Sequence, residues 1–168
     1  FTIIFYFNAL VLIGFINFAS GQYLDMIAEM MSGIYRFPAY ASEVNSYAET
    51  VEFYTDDINF GAINNGFNII IPVNTEIWGF ANSEKISFIT TEQVVLDKSQ
   101  QRKYVSVKSV SKGSNTNLSP GTLKYHGFTN YALSKENLLQ VVNIKSIDNG
   151  TDSENDNNFR YRIIHHQN

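Results

Sequence analysis

The sequence predicts a mainly β protein, an antiparallel sandwich or barrel preceded by one helix. Short apolar or alternating runs rich in Val, Ile, Phe and Tyr recur from about residue 33 onward. Turn-forming clusters separate them: Asp56-Asp57, Asn64-Asn65-Gly66, Asn82-Ser83 and Lys112-Gly113-Ser114-Asn115. A chain of 168 residues with 14% aromatics is long enough to build one core from such strands.

The first 21 residues, FTIIFYFNALVLIGFINFASG, carry no charge. An apolar run ending in Ala19, Ser20 and Gly21 reads as a signal peptide cut before Gln22, with Asn8 and Asn17 favouring that over the rival membrane anchor. The run lacks an initiating Met and a basic flank, as in a sequence clipped at its start. The expectation is a secreted domain spanning residues 22–168. Sequons at Asn117 (NLS) and Asn149 (NGT) agree with that setting and mark candidate glycosylation sites.

Tyr23, Met26, Ile27, Met30, Met31 and Ile34 fall at helical spacing and Gly33 supplies a stop, so one helix is expected from Leu24 to about Ser32 with its Met stripe in the core. Strands are expected in GIYRFPAYA, TVEFYTDDINFGAI, GFNIIIPV, TEIWGFANSEK, ISFITTEQVVLD, QRKYVSVKSVSK and TLKYHGFTNYAL. SKENLLQVV reads as one further helical turn, with Ser134 as cap and Glu136 close behind. The stretch 148–158 reads as a flexible acidic loop, and FRYRIIHH as a last strand.

A net charge of −4 gives no electrostatic footprint for nucleic acid. With no Cys, the chain has neither thiol chemistry nor a disulfide framework. It has no phosphate-binding glycine loop, serine nucleophile elbow or HExxH zinc motif. His126 stands alone, and His165-His166 on a strand would face opposite ways, so no metal site is expected.

The strand Ile86–Leu96 raises the one sharp chemical question, because Glu92 and Gln93 sit in its middle. Its even face is Ile86, Phe88, Thr90, Glu92 and Val94; if that face is inward, Glu92 needs a partner. Arg102, one hairpin downstream, is the expected ion-pair partner across strands, and the bland reading is a solvated surface pair.

The stretch TEIWGFANSEKISFITTEQVVLDKSQQRKYVSV resembles the CpeT/CpcT family, the T-type chromophore lyases of phycobiliproteins. Trp78, Glu92, Gln93, Arg102 and Val105 match that family's Trp, Glu-Gln and Arg-x-x-Val positions, while Thr90, Gln101 and Tyr104 differ from it. The resemblance runs from about Leu24 to Leu139. It implies a lipocalin-like antiparallel β-barrel with a helix across one end, and a linear tetrapyrrole (bilin) as noncovalent ligand. By that resemblance Glu92 would accept from pyrrole N–H groups, Arg102 would pair with propionates, and Trp78 or Tyr104 would stack on the conjugated plane. Three readings follow: a secreted barrel binding a small flat apolar ligand such as a bilin, a chromophore lyase partnered with a phycobiliprotein, and a non-catalytic structural or interaction protein. Catalytic residues are not assigned.

Overall fold

Among the described residues the backbone forms ten short strands, separated by turns and bends. The computed structural model describes residues 11, 13–55, 68–128 and 139–166. The strands are β1 (Glu43–Val44), β2 (Val51–Tyr54), β3 (Ile69–Ile71), β4 (Glu76–Ala81), β5 (Glu84–Thr90), β6 (Val94–Leu96), β7 (Arg102–Tyr104), β8 (Val107–Ser109), β9 (Leu123–His126) and β10 (Gln140–Asn143). The helices are α1 (Gly21–Ser32) and α2 (Asp156–His166).

All strand pairings are antiparallel. A five-stranded sheet runs β1-β8-β5-β4-β9, a three-stranded sheet runs β10-β2-β7, and β3 pairs with β6. The three sheets contribute to one apolar cluster, including Val51, Phe53, Ile69, Ile77, Phe88, Leu96, Val107, Leu123 and Val141. The tight β4–β5 hairpin turns through Asn82 and Ser83, with φ of 51° and 69°. That left-handed pair suits the right-handed twist of flanking strands.

Two of the expected strands turn corners. Ile86–Leu96 is not one strand: β5 belongs to the five-stranded sheet, β6 pairs with β3, and residues 91–93 bend between them. The run QRKYVSVKSVSK likewise divides at Val105–Ser106 into β7 and β8, which lie in different sheets. Strands that switch sheets do so at such bends. The two corners are stitched together, since Thr91 N donates to Ser106 O at 2.9 Å.

The chain divides into two compact units, residues 1–39 with 153–168 and residues 40–152. The β sheets form the second unit. In the first, α1 buries Leu24 and Ala28 with Phe159 and Ile163 of α2. Gly33 ends α1 in the left-handed conformation at φ 63°; its N–H donates to the Glu29 carbonyl and the Ile34 N–H to the Ala28 carbonyl. Met26 and Met30 of the expected stripe are not core, at 51% and 79% exposed. The face that meets α2 is the narrower Leu24/Ala28 row, one i, i+4 step.

Residues 13–18 are also helical, and Ile16 is buried in the same small cluster. Arg160 donates to the Ile16 carbonyl at 2.9 Å and to the Ala19 carbonyl at 2.7 Å.

Four further expectations are corrected. FRYRIIHH is helix α2: Asn155 Oδ1 accepts from Asn158 N at 2.9 Å, capping it, and Phe159 and Ile163 stack one turn apart on its buried side. The acidic stretch 148–158 is tied down, with Asp152 accepting from Ser114 N and Oγ at 2.7 Å each and α2 beginning at Asp156. GIYRFPAYA forms no strand beyond a single bridge from Tyr40 to Thr151, because Arg36 is drawn into ion pairs and Pro38 lacks a donor. In SKENLLQVV, residues 140–142 belong to β10, and Ser134 and Glu136 lie outside the described residues. The turns expected at Asp56-Asp57 and Asn64-Asn65-Gly66 also lie outside them.

Candidate functional site

Glu92 occupies the corner between β5 and β6. It is half-buried, and its Oε1 accepts from the backbone N of Ser106 at 2.8 Å. Ser106 Oγ in turn accepts from Ser46 N at 2.9 Å. Burial pushes the Glu92 carboxyl up, but hydrogen bonds from the Ser106 amide and the Ser106 and Ser46 hydroxyls outweigh it and hold the group below its usual range. Gln93 is exposed. The inward set Ile86, Phe88, Thr90 and Val94 is as the alternation predicts.

Arg102 takes a different carboxylate from the expected one. Its Nη1 lies 3.0 Å from Glu52 Oε1 on the neighbouring strand, and its guanidinium sits over the Tyr54 ring, 4.7 Å from the centroid. The β2–β7 register explains this, since Arg102 pairs with Tyr54 and Tyr104 with Glu52. Tyr104 is half-buried. Among the described residues, no hydrogen bond, ion pair or ring contact joins any two of Glu92, Arg102, Trp78 and Tyr104.

Trp78 stands apart on the outer face of the five-stranded sheet. Along β4, Ile77 and Gly79 point into the core and Glu76, Trp78 and Phe80 point away. Trp78 stacks on Tyr125 of β9 with centroids 6.0 Å apart and an interplanar angle of 19°. Phe80 meets Tyr125 edge-on at 6.0 Å and 79°. Lys85 Nζ lies 4.5 Å from the Trp78 ring centroid and 2.7 Å from Glu76 Oε1, which also accepts from Ser87 Oγ at 2.7 Å. Hydrogen bonds from Lys85 and Ser87 hold the Glu76 carboxyl below its usual range. The face is open: Phe80 is 55% and Tyr125 48% exposed.

Gly79 makes this arrangement feasible. The β4–β9 register shifts between Trp78 and Gly79, and a Cβ at Gly79 would lie 2.0 Å from the Thr122 carbonyl oxygen. The close approach of β9 there sets Tyr125 opposite Trp78. Tyr125, Phe80, Lys85 and Glu76 were not singled out from sequence. The signal was present in EIWGFA, whose large aromatics alternate with small or aliphatic inward residues.

The sequon amides both serve the fold. Asn117 is half-buried, accepts from Ser42 Oγ at 3.1 Å and Gly150 N at 2.8 Å, and donates to Gly150 O at 3.1 Å. Asn149 is exposed and pairs with the backbone of Glu43, accepting from its N at 3.1 Å and donating to its carbonyl. His165 and His166 lie on a helix rather than a strand, and His165 stacks on Tyr161 at 3.8 Å. Among the described residues, no group of three or more His, Asp or Glu is placed to hold a metal ion. No family model matches this chain, and no curated protein matches it.

Proposed function

We propose that this chain is a ligand-binding β domain that takes a flat, largely apolar molecule against the outer face of its five-stranded sheet. The observation that carries this is the Trp78–Tyr125 stack with Phe80 edge-on beside it, an aromatic surface left open to solvent. Aromatic faces favour offset stacking on another conjugated plane. A linear tetrapyrrole suits the polar margin as well: Glu76 is an acceptor for pyrrole N–H groups and Lys85 a cation for a propionate. The resemblance to the CpeT/CpcT family supports the same ligand class, with the contact roles falling on Glu76 and Lys85 instead of Glu92 and Arg102.

The reading extends to the architecture. A lipocalin-like barrel is supported by the shared core and by a link between sheets. Leu123 N of β9, in the five-stranded sheet, donates to Asn143 Oδ1 of β10, in the three-stranded sheet, at 2.9 Å. The core is filled with aliphatic and Phe side chains, which favours an exterior seat for the ligand over an interior one. A secreted setting rests on the uncharged run 1–21.

The test is a visible absorption titration of the purified chain with biliverdin. A saturable shift of the bilin bands supports the reading. A spectrum equal to that of free biliverdin at every protein concentration leaves the aromatic face as a protein-interaction surface.

A further inference from the structure

We infer that the β6–β7 turn, together with Thr55 at the end of β2, forms a binding site for a small oxyanion, a phosphate or carboxylate group carried by a larger molecule. Thr55, Lys98, Ser99, Gln100, Gln101 and Arg102 line an open cavity of about 430 Å³. Thr55 is 6% exposed, and its Oγ1 is buried with no hydrogen-bond partner among the described residues. Native folds leave few such hydroxyls, and a ligand oxygen is a natural acceptor for this one.

The turn is preformed. Asp97 and Gln100 exchange backbone hydrogen bonds at 3.2 and 3.1 Å. Asp97 Oδ1 accepts from Ser99 N at 2.7 Å, Ser99 Oγ at 2.5 Å and Gln100 N at 2.8 Å. Thr55 N donates to Gln101 O at 3.0 Å, which fixes the threonine beside the turn.

Among the described residues, the charge balance at the cavity favours an anion. Lys98 has no carboxylate within ion-pair distance among the described residues. Arg102 is 64% exposed and engages Glu52 through Nη1, leaving the rest of its fork for an oxyanion. Among the described residues, the carboxylates nearby are committed, Asp97 to the turn and Glu52 to Arg102. A guanidinium fork, an ammonium and a buried hydroxyl around one concavity match the shared chemistry of phosphate monoesters and carboxylates.

The experiment follows backbone amide shifts of the ¹⁵N-labelled chain during titration with inorganic phosphate, sodium acetate and sodium chloride at constant ionic strength. Saturable shifts at Thr55, Ser99 and Gln100 with phosphate or acetate, and none with chloride, are expected. Saturation by phosphate alone identifies a phosphate ester as the natural group, and by acetate alone a carboxylate. Lys98→Gln, which breaks no ion pair among the described residues, should weaken the response at least fivefold. Thr55→Val should weaken it severalfold while keeping the melting temperature at or above that of the parent chain, because the lost hydroxyl satisfies no group among the described residues. Failure of both anions to saturate, or equal responses in both variants and the parent chain, overturns the site.

Discussion

Glu92 Oε1 accepts a hydrogen bond from the backbone N of Ser106 at 2.8 Å, and this contact joins the two places where the β chain turns from one sheet to another. Thr91 N to Ser106 O, at 2.9 Å, lies beside it. A carboxylate suits the position because bent backbone leaves amides that the sheet ladder no longer satisfies. The charge in the middle of ISFITTEQVVL is therefore a brace for a corner.

Replacing Glu92 by Gln keeps an acceptor but weakens the bond to Ser106 N. A loss of about 1–2 kcal/mol in unfolding free energy is expected, the margin between a charge-assisted and a neutral hydrogen bond. The Glu92 carboxyl is held below its usual range, so its contribution is present above the unfolded glutamate value of about 4.3 and is lost as pH falls through the lowered folded value. Urea denaturation at pH 7 and at pH 3 checks both points: the gap between parent chain and Glu92→Gln should shrink at pH 3. An equal gap at both would show that the charge is not what stabilises the corner.

Gly79→Ala should be among the most damaging single-atom additions to the β unit. The new Cβ would lie 2.0 Å from Thr122 O and 2.6 Å from Thr122 C, both backbone atoms that cannot swing aside. A cost of about 3 kcal/mol is expected, at the upper end for overpacking. Thermal unfolding followed by circular dichroism reads it as a melting temperature lower by roughly 10 °C.

The helical unit depends on two cations. Arg36 Nη2 lies 2.7 Å from Asp25 Oδ1 and 2.8 Å from Asp156 Oδ1, and its guanidinium sits over Phe159. Arg162 grips Glu154 from Nε at 3.1 Å and Nη2 at 2.6 Å. The Arg162 hydrogen bonds hold the Glu154 carboxyl below its usual range against the opposing effect of burial. Stability from this pair is present above the ordinary glutamate range and is lost as pH falls through the lowered folded value. Arg36→Met should cost on the order of 2–3 kcal/mol, less than a fully buried pair because Asp25 and Asp156 retain part of their water. Monitored at 222 nm, the helical signal should melt earlier in this variant and earlier at pH 3 than at pH 7 in the parent chain.

Much of the local grammar was legible. The helix ending at Gly33, the Asn82-Ser83 turn and the inward set Ile86, Phe88, Thr90 and Val94 each follow from one short window of residues. The corner at 91–93 was not, because the bend is decided by partners distant in sequence, β3 and Ser106. FRYRIIHH misled for a specific reason: Phe159, Tyr161 and Ile163 alternate with Arg160 and Arg162, which is strand period. Burial of Phe159 and Ile163, with Tyr161 at 65% exposed, follows helix period instead. The partner of Arg102 was missed because the β2–β7 pairing spans some 50 residues and sets Glu52 beside it.

Whether Trp78 and Tyr125 receive a flat ligand on the outer sheet face can be read from Trp78 itself, the one tryptophan of the chain. Tryptophan fluorescence is recorded while biliverdin is added to the parent chain, to Tyr125→Ala and to Glu92→Gln. Saturable quenching is predicted in the parent chain and in Glu92→Gln. Tyr125→Ala should bind about five- to tenfold more weakly, matching roughly 1 kcal/mol for a lost aromatic stack. Quenching that never saturates, or equal affinity in the parent chain and Tyr125→Ala, would contradict the account.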